Sequence, residues 1–333
     1  MVARAVGSLE DRAKGAEAVT PGGTVKALVF TGPGTLELLD AGEPELADGE
    51  VLVHVRVAGI CGSELHGVQR PGFRKPPLIM GHEFAGTRPE GERVVINPIL
   101  SCGECDLCQR GLRHVCPQRA IIGVHRPGGF AERVAVPSSA LVPVPPWLSW
   151  EAAAVVEPTA NAVHAWNRTG PAVGARVAVI GCGAIGLLCA LAALAGGAES
   201  VDVTDLSATR IAVARGLGAA AGELRGEYDV VIDAVGSAVT RAKSVAHQRP
   251  AGVAVWLGLA EEEAGFDGNA LIRSEKRVLG SFAYSDEEFA GGMALLRNTD
   301  LDWTASYPLS AGAGIFTDLM NGGMHPVKAL LRP

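Results

Sequence analysis

The stretch from Ala175 to Asp205, "ARVAVIGCGAIGLLCALAALAGGAESVDVTD", constrains the fold more than any other part of the chain. A largely apolar run, Ala175 to Ile180, meets the turn Gly181-Cys182-Gly183-Ala184-Ile185-Gly186; alanines and leucines at helical spacing follow, then a second short strand, "SVDVTD". A strand that enters a helix through G-x-G-x-x-G predicts a βαβ unit with a dinucleotide on the turn. Gly181 permits the tight turn, Gly183 lets a pyrophosphate approach the backbone, and Gly186 lets the helix pack closely on the sheet. Ala184 and Ile185 open the helix, whose free N–H groups would face the phosphates. Asp205 stands 19 positions after the last glycine, at the end of the next strand. There it is placed to accept hydrogen bonds from ribose hydroxyls and to repel a 2′-phosphate, so NAD is expected over NADP. The plainer alternative for Asp205 is a strand-end carboxylate in water. Arg210 is the nearby residue that would favour a 2′-phosphate, although a solvated helix position is the preferred reading of it.

Strand and helix patterns keep alternating through "EYDVVIDAVGS", "GVAVWLGL" and "RVLGSFAY", which predicts a doubly wound α/β domain with a parallel sheet. The earlier part differs. From "VKALVFTGPGTLELLD" to "AERVAVP", short β-branched runs separated by Gly/Pro turns predict a β-rich, barrel-like domain. Two domains suit 333 residues, too many for one comfortable core. Residues 1–24 lack apolar periodicity and read as a flexible extension. Their lack of an uninterrupted apolar run, with Glu10, Asp11 and Glu17 present, argues against an export or transit signal and for a cytoplasmic protein. A net charge of −7 without a lysine/arginine cluster argues against a nucleic-acid surface, and no apolar run is long enough to span a membrane.

Four of the seven cysteines fall in "SCGECDLCQRGLRHVC". Cys102, Cys105, Cys108 and Cys116 have spacings that can bring four sulfurs to the corners of a tetrahedron, the arrangement of a closed, structural zinc site; disulfides are the alternative in an oxidising compartment. Cys182 and Cys189 read as small buried apolar residues. Cys61 is different. It follows the strand "VLVHVRV" in "AGICGSELHG", where a turn can present a thiolate; "PLIMGHEFAG" supplies His82 and Glu83, and "AAVVEPTA" supplies Glu157. One sulfur, one imidazole and one carboxylate leave a fourth position open, as in a catalytic zinc site. Taken singly, each has a structural alternative: a buried thiol, a core histidine, a helix-start carboxylate.

In order, "GICGSELH", "GHEFAG", the four-cysteine lobe, "VVEPTANAVHA" and "VIGCGAIG" resemble the zinc-dependent medium-chain alcohol dehydrogenases, most closely the branch with sorbitol, butanediol and threonine dehydrogenases. The resemblance runs from residue 25 to the end. It implies a GroES-like catalytic domain of residues 25–154 and 283–333 around a Rossmann domain of residues 155–282. It also implies Cys61 and His82 as ligands of a catalytic zinc, with Glu83 or, preferably, Glu157 as the third, and a second, structural zinc in the lobe. Ser63 and His66 resemble the family's proton route to solvent, and Val235, Gly258, Leu259 and Ala283 are placed near the nicotinamide. The implied reaction is oxidation of a secondary alcohol or polyol, a diol, sugar alcohol or cyclitol, with hydride passing to NAD. The alternatives are a threonine-type amino-alcohol dehydrogenase and, remotely, a silent binding protein of the same fold. Relatives assemble as homodimers or homotetramers, which is the expectation here too. Two segments are shorter than the family pattern: "TRPEG" between "GHEFAG" and "ERVVINP", and the third strand–helix unit after Asp205.

Overall fold

The structure is a computed structural model that describes residues 23–69, 72, 74–322 and 326–333. Most of the expected N-terminal extension, residues 1–22, lies outside the described residues.

The parallel sheet forms as the alternating pattern requires. Its strands run in the order Ala220–Ala221, Ser200–Thr204, Arg176–Ile180, Tyr228–Asp233, Gln248–Trp256, Arg277–Gly280, reversing direction of growth on either side of Arg176–Ile180. This 3-2-1-4-5-6 order opens a crevice at the carboxyl ends of the strands, where a dinucleotide binds in such sheets. The third strand has only two residues, the structural form of the shortened unit. The helix Ala184–Ala195 covers the sheet and buries Leu187, Leu188 and Cys189, a fully buried leucine being worth about 1.5–3 kcal/mol.

The β-rich part contains a seven-stranded sheet centred on Glu50–Gly59, which pairs with Glu83–Thr87, Arg133–Pro137 and Lys328–Arg332. The C-terminal strand thus returns to the first domain. A smaller sheet joins Leu78–Ile79, Thr24–Gly32 and Thr35–Gly42. The short segment after Thr87 is a tight turn in which Arg88 and Glu92 pair backbone N–H to carbonyl at 2.9 Å.

Between the two parts runs the helix Trp150–Arg168. Ser149 caps it, accepting from the N–H of Ala152 at 3.1 Å. It crosses residues 154–155 unbroken, the place where the domain junction was expected, and packs against the helices Asp286–Leu295 and Ala184–Ala195 and the strand Glu83–Thr87. No helix among the described residues is long and apolar enough to cross a membrane.

Candidate active site

The four lobe cysteines converge. Their sulfurs stand 3.8 Å apart for Cys102–Cys108 and Cys105–Cys116, and 3.5 Å for Cys116–Cys102. A disulfide needs about 2.05 Å. A tetrahedron of zinc–sulfur bonds about 2.3 Å long has edges of about 3.8 Å, so the donor set fits a closed zinc site. The backbone N–H groups of Glu104 and Cys105 aim at Cys102 and lower its thiol to about 6, whereas at Cys105 the Cys108 N–H is outweighed by burial and the neighbouring sulfurs, which push the thiol up to about 12, so the lobe's sulfurs titrate as a group.

A second group consists of Cys61, His82 and Glu83, whose ligand atoms all lie within 4.8 Å of one another. Soft sulfur, imidazole and carboxylate suit zinc, and small side-chain shifts bring all three to the required bonds of about 2.0–2.3 Å. Cys61 lies between the strand Glu50–Gly59 and the helix Gly62–Gln69, while His82 directly precedes and Glu83 begins the neighbouring antiparallel strand Glu83–Thr87. Sheet pairing therefore brings the "GIC" and "GHE" segments side by side. Gly59 leaves room for the Glu83–Lys328 pair: a Cβ there would lie 2.4 Å from Oε2 of Glu83 and 2.9 Å from Cε of Lys328, so a larger residue would displace that pair.

Glu157 lies outside this group, in mid-helix rather than at a helix start. Its Oε1 accepts from Tyr284 Oη at 2.9 Å and from Asn161 Nδ2 at 3.1 Å. Burial pushes its carboxyl up to about 7, with His82 and Lys328 pulling the other way and Glu83 adding to the rise.

Sequence reasoning missed several residues that complete the site. Glu64 is fully buried and accepts from the N–H of Cys61 at 3.0 Å, from the N–H of Gly81 at 3.0 Å and from Nδ1 of His82 at 2.9 Å. Engaging Nδ1 leaves Nε2 of His82 for a metal. Burial opposes charge on His82, but Glu64 and Cys61 outweigh it and raise its pKa well above the ordinary value. Lys328, from the C-terminal strand, pairs with Glu83 and donates to the carbonyl of Ile60 at 2.9 Å. For Glu64 a signal existed, an acid one turn after the cysteine on a short helix. Lys328 and Tyr284 carried none.

Ser63 is exposed and donates to Cys61 Sγ at 3.3 Å; the buried Arg74 reaches its carbonyl at 3.0 Å. His66 is exposed one turn further along the same helix face. No hydrogen bond joins it to Ser63 among the described residues.

At the glycine turn, Gly181 has φ +97° and its N–H donates to the carbonyl of Thr204 at 2.8 Å. A Cβ on Gly186 would stand 1.7 Å from the carbonyl oxygen of Gly181, whereas one on Gly183 would meet only open space above the turn. That space lies over the N-terminus of the helix opening at Ala184 and Ile185, so the turn fits a pyrophosphate. Asp205 accepts from the N–H of Cys182 at 2.6 Å and of Ser207 at 2.8 Å, which aims its carboxylate at the turn. Arg210 is half exposed, with its guanidinium 4.0 Å from Asp205. Val235 stands against Gly181. It lies in a loop ordered by fully buried Asp233, which accepts from the N–H groups of Val235 at 2.9 Å and Gly236 at 3.0 Å. Gly258 closes on that loop, Leu259 is 74% exposed, and Ala283 has φ +54°.

Two family models match the chain: the alcohol dehydrogenase GroES-like domain over residues 47–146 and the zinc-binding dehydrogenase domain over residues 184–298. The chain is 33% identical to an L-threonine 3-dehydrogenase of Streptomyces avermitilis over 300 residues, 80% of this chain and 86% of that protein. It is 30% identical to the L-galactonate-5-dehydrogenase of Escherichia coli over 329 residues, 90% of this chain and 96% of that one. A zinc-binding dehydrogenase from Sinorhizobium meliloti, solved with NADP, superposes with a TM-score of 0.86 at 30% identity, covering 93% of this chain and 99% of that one.

Proposed function

The chain belongs to the zinc-dependent medium-chain dehydrogenases, in their polyol and threonine branch, and we propose from its own residues a finer assignment of ligands, cofactor and substrate. It is an oxidoreductase that oxidises secondary alcohols or polyols with zinc and a nicotinamide cofactor. The proposal is that Cys61, His82 and Glu83 hold a catalytic zinc, the four lobe cysteines hold a structural zinc, and NAD is the acceptor. The convergence of the three donor atoms within 4.8 Å carries the reading. Residues 25–154 with 283–333 form the catalytic unit and 155–282 the nicotinamide unit in this reading; a homodimer or homotetramer and a cytoplasmic location go with it.

When held there, zinc with an open position would supply Lewis acidity toward a substrate hydroxyl, and the nicotinamide an acceptor for the hydride from the carbon that bears it. The chain does the rest. Glu64 orients His82, and Lys328 balances the charge of Glu83. Ser63, beside Cys61, would accept the hydroxyl proton as its own O–H proton leaves, with His66, exposed one turn further on, as the acceptor toward solvent once the two come into reach. Asp205 receives the ribose hydroxyls, which supports NAD; Arg210 is too exposed and too near Asp205 to offer a clean 2′-phosphate site. Glu83 is preferred to Glu157 as the third ligand because its carboxylate lies within 4.8 Å of the Cys61 and His82 donor atoms, and Glu157 works beside the metal in this reading.

A threonine-type substrate is the second reading, supported by the 33% identity to a threonine 3-dehydrogenase. The test is zinc content of wild type and Cys61→Ala, with NAD and NADP reduction measured on diols, sugar alcohols, cyclitols, aldonates and threonine. Loss of one of two zincs together with all turnover is expected. Retention of both zincs by the variant would refute the ligand assignment, and turnover that requires an amine would select the second reading.

A further inference from the structure

The helix Trp150–Arg168 presents Glu157, Asn161 and His164 along one face, since helix positions three and four apart align. The segment Tyr284–Glu288 grips that face at both ends. Tyr284 Oη donates to Glu157 Oε1 at 2.9 Å, and Glu288 pairs with His164 Nδ1 at 2.8 Å and accepts from Asn167 Nδ2 at 2.9 Å. Asn161 Nδ2 reaches the same Glu157 oxygen at 3.1 Å.

The gripping segment is itself held in place. Ser285 and Glu288 close a capping box at the start of the helix Asp286–Leu295, and Asn97 Nδ2 donates to Asp286 at 3.0 Å. Directly before Tyr284, Ala283 has φ +54°, a left-handed conformation that a residue with a Cβ keeps only where its surroundings enforce it. Tyr284 is 2% exposed, so water does not compete for its hydroxyl.

We propose that Tyr284 and Asn161 are positioning residues that lock Glu157. Both donors fall on Oε1, so the carboxylate cannot rotate without breaking two hydrogen bonds, and Oε2 is left as the one oxygen available to a substrate hydroxyl. The strained turn at Ala283 is the device that delivers the tyrosine. The inference rests on reading Cys61, His82 and Glu83 as the catalytic metal site with Glu157 beside it.

The test compares wild type with Tyr284→Phe, Asn161→Ala, the double variant and Glu157→Gln. Each is measured for kcat, KM for the nicotinamide, zinc content and, after cobalt substitution, visible absorption of the metal. Tyr284→Phe is expected to lower kcat about 10- to 100-fold with KM and zinc content unchanged and the cobalt bands shifted, since supporting hydrogen bonds around a metal site carry effects of that size. Asn161→Ala acts in the same sense, and the double variant loses less than the product of the single losses, because both donors serve one oxygen. If Tyr284→Phe fails to fold, Asn161→Ala carries the test. Inactive Glu157→Gln alongside a Tyr284→Phe or Asn161→Ala enzyme with normal kcat and unshifted cobalt bands overturns the lock while leaving the site reading intact. Full activity in Glu157→Gln overturns the site reading and the lock with it.

Discussion

Replacing Glu64 with glutamine probes how the site is built. Glu64 has 0% exposure and satisfies three donors: the N–H of Cys61 on Oε2, and the N–H of Gly81 and Nδ1 of His82 on Oε1. Burial alone would keep its carboxyl protonated, but His82, Arg74 and the Cys61 N–H outweigh burial and lower its pKa, so it works as a carboxylate. A glutamine fits the same space with one acceptor oxygen. Its best orientation keeps that oxygen toward Gly81 and His82 and turns an NH2 group on the N–H of Cys61, donor against donor. One buried N–H is then unpaired, a cost of about 1–3 kcal/mol, and His82 loses the charge that fixes its Nδ1–H form. The expected result is a 10- to 100-fold loss of zinc affinity at the Cys61 site, equivalent to about 1.4–2.7 kcal/mol. Competition with a calibrated chelator measures it, and the four-cysteine site, sharing none of these contacts, serves as internal reference. Affinity within twofold of wild type would refute the reasoning, because a buried carboxylate with three donors cannot be neutralised without consequence if it orients the ligand.

Cys116→Ser should remove one zinc per chain while the Cys61 site stays loaded, and lower stability by on the order of 3 kcal/mol; elemental analysis and thermal unfolding check both. Asp205→Ala should raise the NADP-to-NAD ratio of kcat/KM by about 10- to 100-fold, as expected when a carboxylate facing a 2′-phosphate is removed; an unchanged ratio would show that Asp205 does not read the ribose. Glu288→Gln tests a pH-dependent contribution. Burial raises the Glu288 carboxyl, but His164, the Ser285 N–H and Asn167 outweigh it and bring it from 4.5 down to about 2. A carboxylate with a lower pKa when folded stabilises the fold above 4.5 and loses that contribution as pH falls through about 2. The variant should be less stable than wild type by about 1–3 kcal/mol at pH 7, with the gap closing below pH 4.5 in denaturant unfolding.

What was legible in the sequence was local. The glycine turn spans six residues and the cysteine lobe fifteen, so spacing alone carried the expectation of a dinucleotide on the one and a zinc in the other. Even Cys61, His82 and Glu83 stood out, because each lies in a short turn-rich motif. The remaining members of the site are defined by contacts that only the folded sheet creates: Lys328 meets Glu83 across 245 residues, and Tyr284 meets Glu157 across 127. The same limit holds for the surroundings of Glu157. Its motif signals a carboxylate near the metal, but the tyrosine that orients that carboxylate comes from another segment.

The charges around the site lead to a last prediction. Glu64, Glu83, Glu157 and a ligating Cys61 thiolate put four anionic groups in one partly or fully buried region, where the buried cations among the described residues are Lys328, Arg74 and, while no metal is bound, a protonated His82. Buried charge is tolerated when paired or bound to metal, and a divalent cation is what this set lacks. Without it, the cheapest adjustment is a proton on the carboxylate with the weakest cationic support. Glu157 fits that description, its carboxyl standing at about 7 because burial dominates and Glu83 adds to it. Zinc binding should therefore expel that proton below pH 7 and not above it. Calorimetric titration of zinc into metal-free protein, repeated in buffers of different ionisation enthalpy, counts the protons released. The count should fall by up to one between pH 6 and pH 8 in wild type, with that component missing in Glu157→Gln. An identical pH dependence in both proteins would mean that the region balances its charge by some route other than Glu157.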